Sequence, residues 1–307
     1  MTNLLCLGAN LPAEVEERAD TRRMQSRAET LGKVMRATAL VDRLEGAGIP
    51  VIVFKGPATG HSAYHDVSLR QFADIDLLLK QSDMNAAHGF VLQLGYKPYF
   101  AQADAGGLIK KGHALEFSSD TLKVELHSEL LSRYLRVRFD HDEVWATARL
   151  LNVGGRQLKV LSSEVQFLFL CAHGAKHEWA SIRWICDLTQ LVPALDESAT
   201  ARLIDLAEEL HARKLLALGL QLVRDVFQSK LPAQLELARQ AFDTRSISLE
   251  ILRAIGIDAD GSSLRPSRLR ALHPAIPSFL FWARTRERLL DRVLSAGDLL
   301  LGHQWNA

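Results

Sequence analysis

Asp74 and Asp76 constrain this 307-residue chain more than any other feature. They stand two apart in Ala73-Asp-Ile-Asp-Leu-Leu-Leu79, which alternates acidic and apolar residues and then runs fully apolar. That pattern predicts a central strand with one functional face. Residues two apart on a strand leave the same face, so both carboxylates point one way. Two such carboxylates repel, and they persist as a pair when a divalent cation neutralises them. Hard oxygen ligands suit Mg²⁺, which takes one or two carboxylates and completes its shell with water and substrate phosphates. A third acid on a neighbouring strand would let two ions sit about 4 Å apart and clamp the attacking and leaving oxygens of a phosphoryl displacement. Glu125, between Val124 and Leu126, is the best candidate. An Asp-x-Asp by itself is weak evidence, because exposed strand edges and turns carry most of them.

The surrounding texture divides the chain. Residues 1–27 are polar and charge-mixed and read as an exposed arm or helix. Residues 28–45 place Leu31, Val34, Met35, Val41 and Leu44 at helical spacing, and Gly46-Ala-Gly48 ends that helix. Ile49–Phe54 is short and β-branched, a buried strand, followed by the turn Lys55-Gly56-Pro57 and a second helix or loop to about Leu69. A helix from Ser82 or Asp83 to Leu94 and strands at 97–100, 115–117 and 122–126 complete an α/β half. Beyond Val160, segments 163–192, 199–227 and 232–254 are rich in leucine and alanine at helical spacing. The expectation is an α+β chain: an arm over 1–27, an α/β core over 28–160, and an all-helical domain over 161–307. The last of these ends in a basic tail from Leu264, with seven arginines against three acids.

Composition excludes several classes. Hydrophobic residues at 48% and charged residues at 24% match globular proteins, not fibrous or disordered ones. A net charge of +1 provides no global field for nucleic acid or anionic membranes, so nucleic acid is disfavoured as a partner. No apolar run approaches the length of a membrane span, and no secretion signal is visible at the N-terminus. Cys6, Cys171 and Cys186 form no paired framework, which predicts a reducing, cytoplasmic setting.

Several short motifs occur in a telling order: Val53-Phe-Lys-Gly-Pro57, Tyr64-His-Asp66, Arg70, Asp74-Ile-Asp-Leu-Leu78 and Val124-Glu-Leu-His127. Together they resemble the uncharacterised nucleotidyltransferase family within the DNA polymerase beta-like superfamily, over about residues 28–135. His173-Gly-Ala-Lys-His177 and Trp184-Ile-Cys-Asp187 resemble that family's helical part. The resemblance implies a small mixed-sheet nucleotidyltransferase core that depends on two Mg²⁺ ions, Mn²⁺ being a substitute. It further implies that Asp74 and Asp76 bind both ions and that Glu125 binds the ion activating the acceptor. The turn Lys55-Gly56 matches the narrower family but departs from the Gly-Ser or Gly-Gly usual in the superfamily. Gly56 would let the backbone approach phosphates, and Lys55 would supply a point charge.

Other residues carry two readings each. Arg70 either grips a phosphate bidentately or pairs structurally with Asp66 or Asp74. His127 shares a strand face with Glu125 and either touches the site or packs beside it, and Tyr64 reads as a lining residue. Lys176, His177 and Arg183 would meet nucleotide or acceptor phosphates from one helical segment, Lys176 and Arg183 being two turns apart on one face. The structural alternative is a hydrogen-bond network joining His173 and Asp187. A zinc site at His173 and His177 lacks the glutamate of His-Glu-x-x-His, and Cys171 and Cys186 read as small core residues. The expected function is transfer of a nucleoside monophosphate from a triphosphate to a small molecule, peptide or protein, releasing pyrophosphate. A non-catalytic binding module and a kinase-like phosphotransferase are the alternatives.

Overall fold

A computed structural model describes residues 13–99, 105–111, 114–256, 281 and 284–287. The start of the expected arm, Cys6 and most of the basic tail lie outside the described residues. Among the described residues no helix is long and apolar enough to cross a membrane.

The chain divides into two units, one within Met1–Ser128 and Ala148–Val160, the other within Glu129–Thr147 and Leu161–Ala307. The first begins with α1 (Ala13–Gly46), a single helix that joins part of the expected arm to the helix predicted after it. It ends in a capping turn at Gly46–Gly48, where the Ile49 amide returns to the Leu44 carbonyl at 2.9 Å. Val34, Ala37, Leu40, Val41 and Leu44 form its buried stripe, whereas Leu31 and Met35, also expected there, are exposed.

Then follow β1 (Ile52–Val53), α2 (Pro57–Tyr64), β2 (Asp74–Leu78), α3 (Met84–Gln93), β3 (Lys97–Pro98), α4 (Ala105–Lys111), β4 (Leu115–Ser118) and β5 (Lys123–His127). After α5 (His141–Thr147), which belongs to the second unit, come β6 (Arg149–Val153) and β7 (Arg156–Val160). The seven strands form one mixed sheet in the order β3-β4-β5-β2-β1-β7-β6. The strand β2 is central, antiparallel to β1 and parallel to β5. Its register sets Ile75 against Val124, Asp76 against Glu125 and Leu78 against His127.

Alternation then sorts the two faces. Ile75, Leu77, Val124 and Leu126 are fully buried against the α1 stripe and against Met84, Ala87 and Val91 of α3. Each such side chain contributes roughly 1.5–3 kcal/mol by leaving water. Since this face is committed to the core, a register slip of one residue would drive Asp76 and Glu125 into it, so the pairing is strongly specified.

The β6–β7 hairpin was not anticipated from the sequence. Its strands carry Arg149, Arg156 and Lys159, which blur the apolar alternation. The available signal was the two-residue turn Gly154-Gly155, both at positive φ, as tight hairpin turns require.

Among the described residues the second unit contains α5 and six further α-helices: α6 (Ser163–Lys176), α7 (Ile182–Leu191), α8 (Glu197–Glu209), α9 (Arg213–Phe227), α10 (Ala233–Gln240) and α11 (Arg245–Ala254). Each of the three long helical segments expected from sequence is split in two. The break after α6 is built around Trp179, which is fully buried and folds its ring onto Gly174. The amides of Glu178 and Trp179 return to Ala175 and Gly174, and both residues take positive φ, which stops the helix. Lys176 and Arg183 therefore lie on two helices, not on one face of one helix. Gly219 of α9 packs directly on Cys171 of α6 and Leu188 of α7. Cys171 and Cys186 are both buried, and neither is in a disulfide.

Candidate functional site

The polar face of β2 and β5 carries the chemistry. Asp76 sits at the sheet centre with its side chain 1% exposed, flanked by β1 and β5. Its carboxylate contacts the Lys55 ammonium, which the chain presents just after β1. His127 Nε2 lies 3.0 Å from Glu125 Oε2 and 3.3 Å from Asp76 Oδ1. The imidazole is held edge-on by Phe54, with ring centroids 5.0 Å apart and planes at 84°. Phe54 also underlies the Lys55 ammonium, 5.6 Å from its ring centre.

Gly56 makes the turn between Lys55 and α2. It adopts φ 54° and ψ −119°, a conformation that side chains disfavour. A Cβ there would make only ordinary contacts, 3.4 Å from the Asp74 carbonyl and the Phe72 ring, so it is the backbone conformation and not lack of space that favours glycine at this turn.

Charges in this cluster are strongly coupled to burial. Burial opposes ionisation of Asp76, but the Lys55 ammonium and the His127 imidazole outweigh it and hold its carboxyl far below the usual range. Burial likewise disfavours a charged Lys55, yet Asp76 and Glu125 raise its proton affinity. His127 follows the same logic, with hydrogen bonds to Asp76 and Glu125 overcoming desolvation. Asp74 differs: burial, then the neighbouring charges of Asp76 and Glu125, push its carboxyl up to about 6.

Three ligand atoms from Asp76, Glu125 and His127 all lie within 4.8 Å of one another. Opposite ligands on an ion with bonds of about 2.1 Å stand about 4.2 Å apart, so a contraction of a few tenths of an ångström places all three on one ion. Asp76 Oδ2 is buried and accepts no hydrogen bond among the described residues, a polar atom with capacity to spare. A buried carboxylate oxygen of this kind fits a divalent ion. Asp74 lies on the same strand face but outside this three-residue group.

Of the other residues singled out from sequence, Arg70 lies on the extended stretch before β2 and is half-buried. Tyr64 ends α2, also half-buried. Asp66 is taken by Arg27 of α1 at 2.7 Å and by Ser68, whose amide and hydroxyl both donate to it. In the second unit, Lys176 ends α6 and His177 follows it, stacked on Trp184 at 5.3 Å between ring centres. His173 meets both rings, and Arg183 is exposed at the start of α7, donating to Ser181.

Sequence reading overlooked two residues here. Glu116 of β4 stands directly opposite Glu125, adding another carboxylate to the polar face. Its setting between Leu115 and Phe117 repeats the pattern that singled out Glu125, so the signal was present. Phe54 read only as a strand residue, and nothing local reveals that it orients His127.

A mixed sheet that presents acids on two adjacent parallel strands beside a lysine-glycine turn, continued by a helical region, defines an α+β protein of nucleotidyltransferase type. The chain belongs to the family described as Uncharacterised nucleotidyltransferase, which it matches over residues 3–228. No curated protein matches it. Among solved structures it is similar to an antigenic nucleotidyltransferase-like protein from Paracoccidioides brasiliensis, at 15% identity and a TM-score of 0.35, covering 58% of this chain and 92% of that one.

Proposed function

We propose that the chain transfers a nucleoside monophosphate from a nucleoside triphosphate to a hydroxyl or phosphate acceptor, releasing pyrophosphate. The observation that carries this reading is the register of Asp76 with Glu125 in a member of a nucleotidyltransferase family. Asp76 and Glu125 would hold one divalent ion and Asp74 would contribute to a second. Such ions neutralise the triphosphate and stabilise charge on the entering and leaving oxygens. Carboxylates admit both Mg²⁺ and Mn²⁺.

In the reaction the acceptor oxygen bonds to the α-phosphorus while the bond from that phosphorus to the bridging oxygen breaks. The electron pair leaves with pyrophosphate, and the acceptor proton passes to a carboxylate of the site or to water. Lys55 has a role on both sides of binding. With no ion present it compensates Asp76, and when Asp76 is otherwise neutralised its ammonium is released to a triphosphate oxygen. Gly56 brings the backbone close to that phosphate, and Arg70 takes a further oxygen. Lys176, His177 and Arg183 are proposed to supply further cationic contacts to the triphosphate or the acceptor. The acceptor is proposed to be a small molecule, peptide or protein, and the setting a reducing cytoplasm.

Incubation of the full chain with each triphosphate, Mg²⁺ or Mn²⁺ and an acceptor panel tests this, with pyrophosphate as the readout. Pyrophosphate release and a product heavier by one nucleoside monophosphate support it. Release of nucleoside diphosphate instead assigns a kinase-like phosphotransfer. A second reading, a binding module on the same fold, draws on the Lys55–Asp76 pair, which compensates Asp76 without an ion. Tight triphosphate binding with no product from any acceptor would favour it. Lys176→Ala and Arg183→Ala should each weaken triphosphate binding about three- to tenfold, and Arg183→Ala, at an exposed side chain, should leave stability within about 0.5 kcal/mol.

A further inference from the structure

The polar face of the sheet contains a nitrogen donor where an all-oxygen site would be expected for Mg²⁺. His127 Nε2 is within 3.3 Å of carboxylate oxygens from both Asp76 and Glu125, and these three groups make up the one cluster of potential ligands among the described residues. Its ring does not depend on those carboxylates alone for its orientation. Phe54, 1% exposed, meets it edge-on, and the Leu78–His127 register fixes its backbone. A metal ligand with a preset direction loses little freedom on binding, and outer contacts of this kind keep an imidazole aimed at its ion. A further observation is Asp76 Oδ2, buried and with no hydrogen-bond partner among the described residues, while Oδ1 of the same carboxylate is engaged by Lys55 and His127.

The chemistry of this donor set is specific. Mg²⁺ keeps to oxygen ligands and several waters, whereas a nitrogen donor shifts preference toward first-row transition ions, among which Mn²⁺ binds N/O sites most weakly and shares the carboxylate preference of Mg²⁺. Two carboxylates and one imidazole, with remaining positions for water and phosphate, form a mixed set that a transition ion accepts better than Mg²⁺ does.

We infer that His127 is a direct ligand of the ion held by Asp76 and Glu125, and that this site is built for a first-row divalent ion such as Mn²⁺ in preference to Mg²⁺. The inference rests on the nucleotidyl-transfer reading for its use in catalysis, but the ligation itself is measurable without substrate. Asp74, outside the three-residue group, contributes to a second and more weakly held ion.

The probe is Mn²⁺ alone, added to the full chain without nucleotide. Binding is followed by titration calorimetry, and the ligands by pulsed paramagnetic resonance, which detects ¹⁴N coupled to Mn²⁺. The expected result is one tightly held Mn²⁺ with imidazole nitrogen coupling and affinity at least tenfold above that for Mg²⁺. His127→Gln should lose the coupling and weaken Mn²⁺ at least tenfold, with Mg²⁺ changing less than threefold. Mn²⁺ bound without nitrogen coupling, equal affinities in wild type and His127→Gln, or no Mn²⁺ bound at millimolar concentration would each overturn the inference. Should His127→Gln not fold, the wild-type coupling and its disappearance in Asp76→Asn decide the matter. The two readings fail separately. Nitrogen coupling without pyrophosphate release from any triphosphate defeats the proposed reaction and leaves the ligand assignment standing. Undiminished Mg²⁺-supported pyrophosphate release in His127→Gln, with no nitrogen coupling in wild type, does the reverse.

Discussion

Lys55 and Asp76 form a buried ion pair in which each partner is the other's main compensation: the lysine is 17% exposed, the aspartate 1%. Breaking such a pair from one side leaves an unpaired charge where water cannot reach it. Lys55→Met, which keeps the apolar stem, should therefore destabilise the metal-free protein by about 3–5 kcal/mol. Adding Asp76→Asn should restore much of that loss, since no charge is then stranded. Urea unfolding of the two single variants and the double variant measures the coupling, and additive losses would show the pair to be energetically unimportant.

Asp74 occupies the opposite position, a carboxylate whose charge its surroundings resist. Asp74→Asn removes like-charge repulsion from Asp76 and Glu125 and a desolvation cost. The metal-free protein should then gain about 1 kcal/mol at neutral pH. Turnover should nonetheless fall at least about a hundredfold, because transition-state charge at the phosphates loses a metal contact. Thermal unfolding and pyrophosphate assays on the same preparation check both parts. A loss of stability together with activity would assign Asp74 a structural role.

A pH-dependent contribution resides at Asp66. Its carboxylate accepts from the Ser68 hydroxyl and amide and pairs with Arg27, and the hydrogen bonds from Ser68 outweigh a smaller burial penalty to hold it below its ordinary value of 3.8. A lowered acid contributes stability fully above its unfolded value, and that contribution disappears as pH falls through the folded one. Asp66→Ala should cost about 1 kcal/mol at pH 7, the scale of a lost cap, and the difference from wild type should shrink below about pH 4. Unfolding curves across pH 3–8 show the convergence. A difference that stays constant to pH 3 would rule out the carboxylate as its origin.

In the helical unit the sharpest steric test is Gly219. A Cβ there would stand 2.6 Å from Cys171 Sγ and 3.2 Å from Leu188. Gly219→Ala should cost about 1–3 kcal/mol through overpacking, despite the better helix propensity of alanine. Cys171→Ala in the same chain should recover part of it by vacating the sulfur's volume. Burial pushes the Cys171 thiol well above its ordinary value, so it should also resist alkylation until the protein unfolds. Rapid labelling of native protein at Cys171 would show that this packing opens.

How much of this was written in the chain is clearest at the strands. Period-two alternation in Ala73–Leu79 and Leu122–Leu126 was enough to place Asp74 and Asp76 on one face and to offer Glu125 as a third acid, but Glu116 shows the same alternation, and only strand pairing sets Glu125 beside Asp76. The α+β order, with a leucine-rich helical second half, followed from periodicity alone. Helix ends were less legible. The break after Lys176 depends on Trp179 folding back onto Gly174, a contact between side chain and backbone that propensity does not encode. The β6–β7 hairpin was obscured by its charged residues.

What the sequence by itself determined is therefore local: which residues share a face, where acids interrupt apolar runs, and which turn requires glycine. Tertiary structure alone decided the partners across strands. Parallel register of β2 with β5 brought Asp76 beside Glu125 and carried His127 into the same cluster, and antiparallel pairing of β4 with β5 set Glu116 opposite Glu125. It also delivered Lys55 from a separate strand onto the buried carboxylate of Asp76. Such pairings depend on strand order and hydrogen-bond register, which are selected by burying the opposite face against α1 and α3. The charge state of each site residue follows from that burial, and no local stretch of sequence contains it.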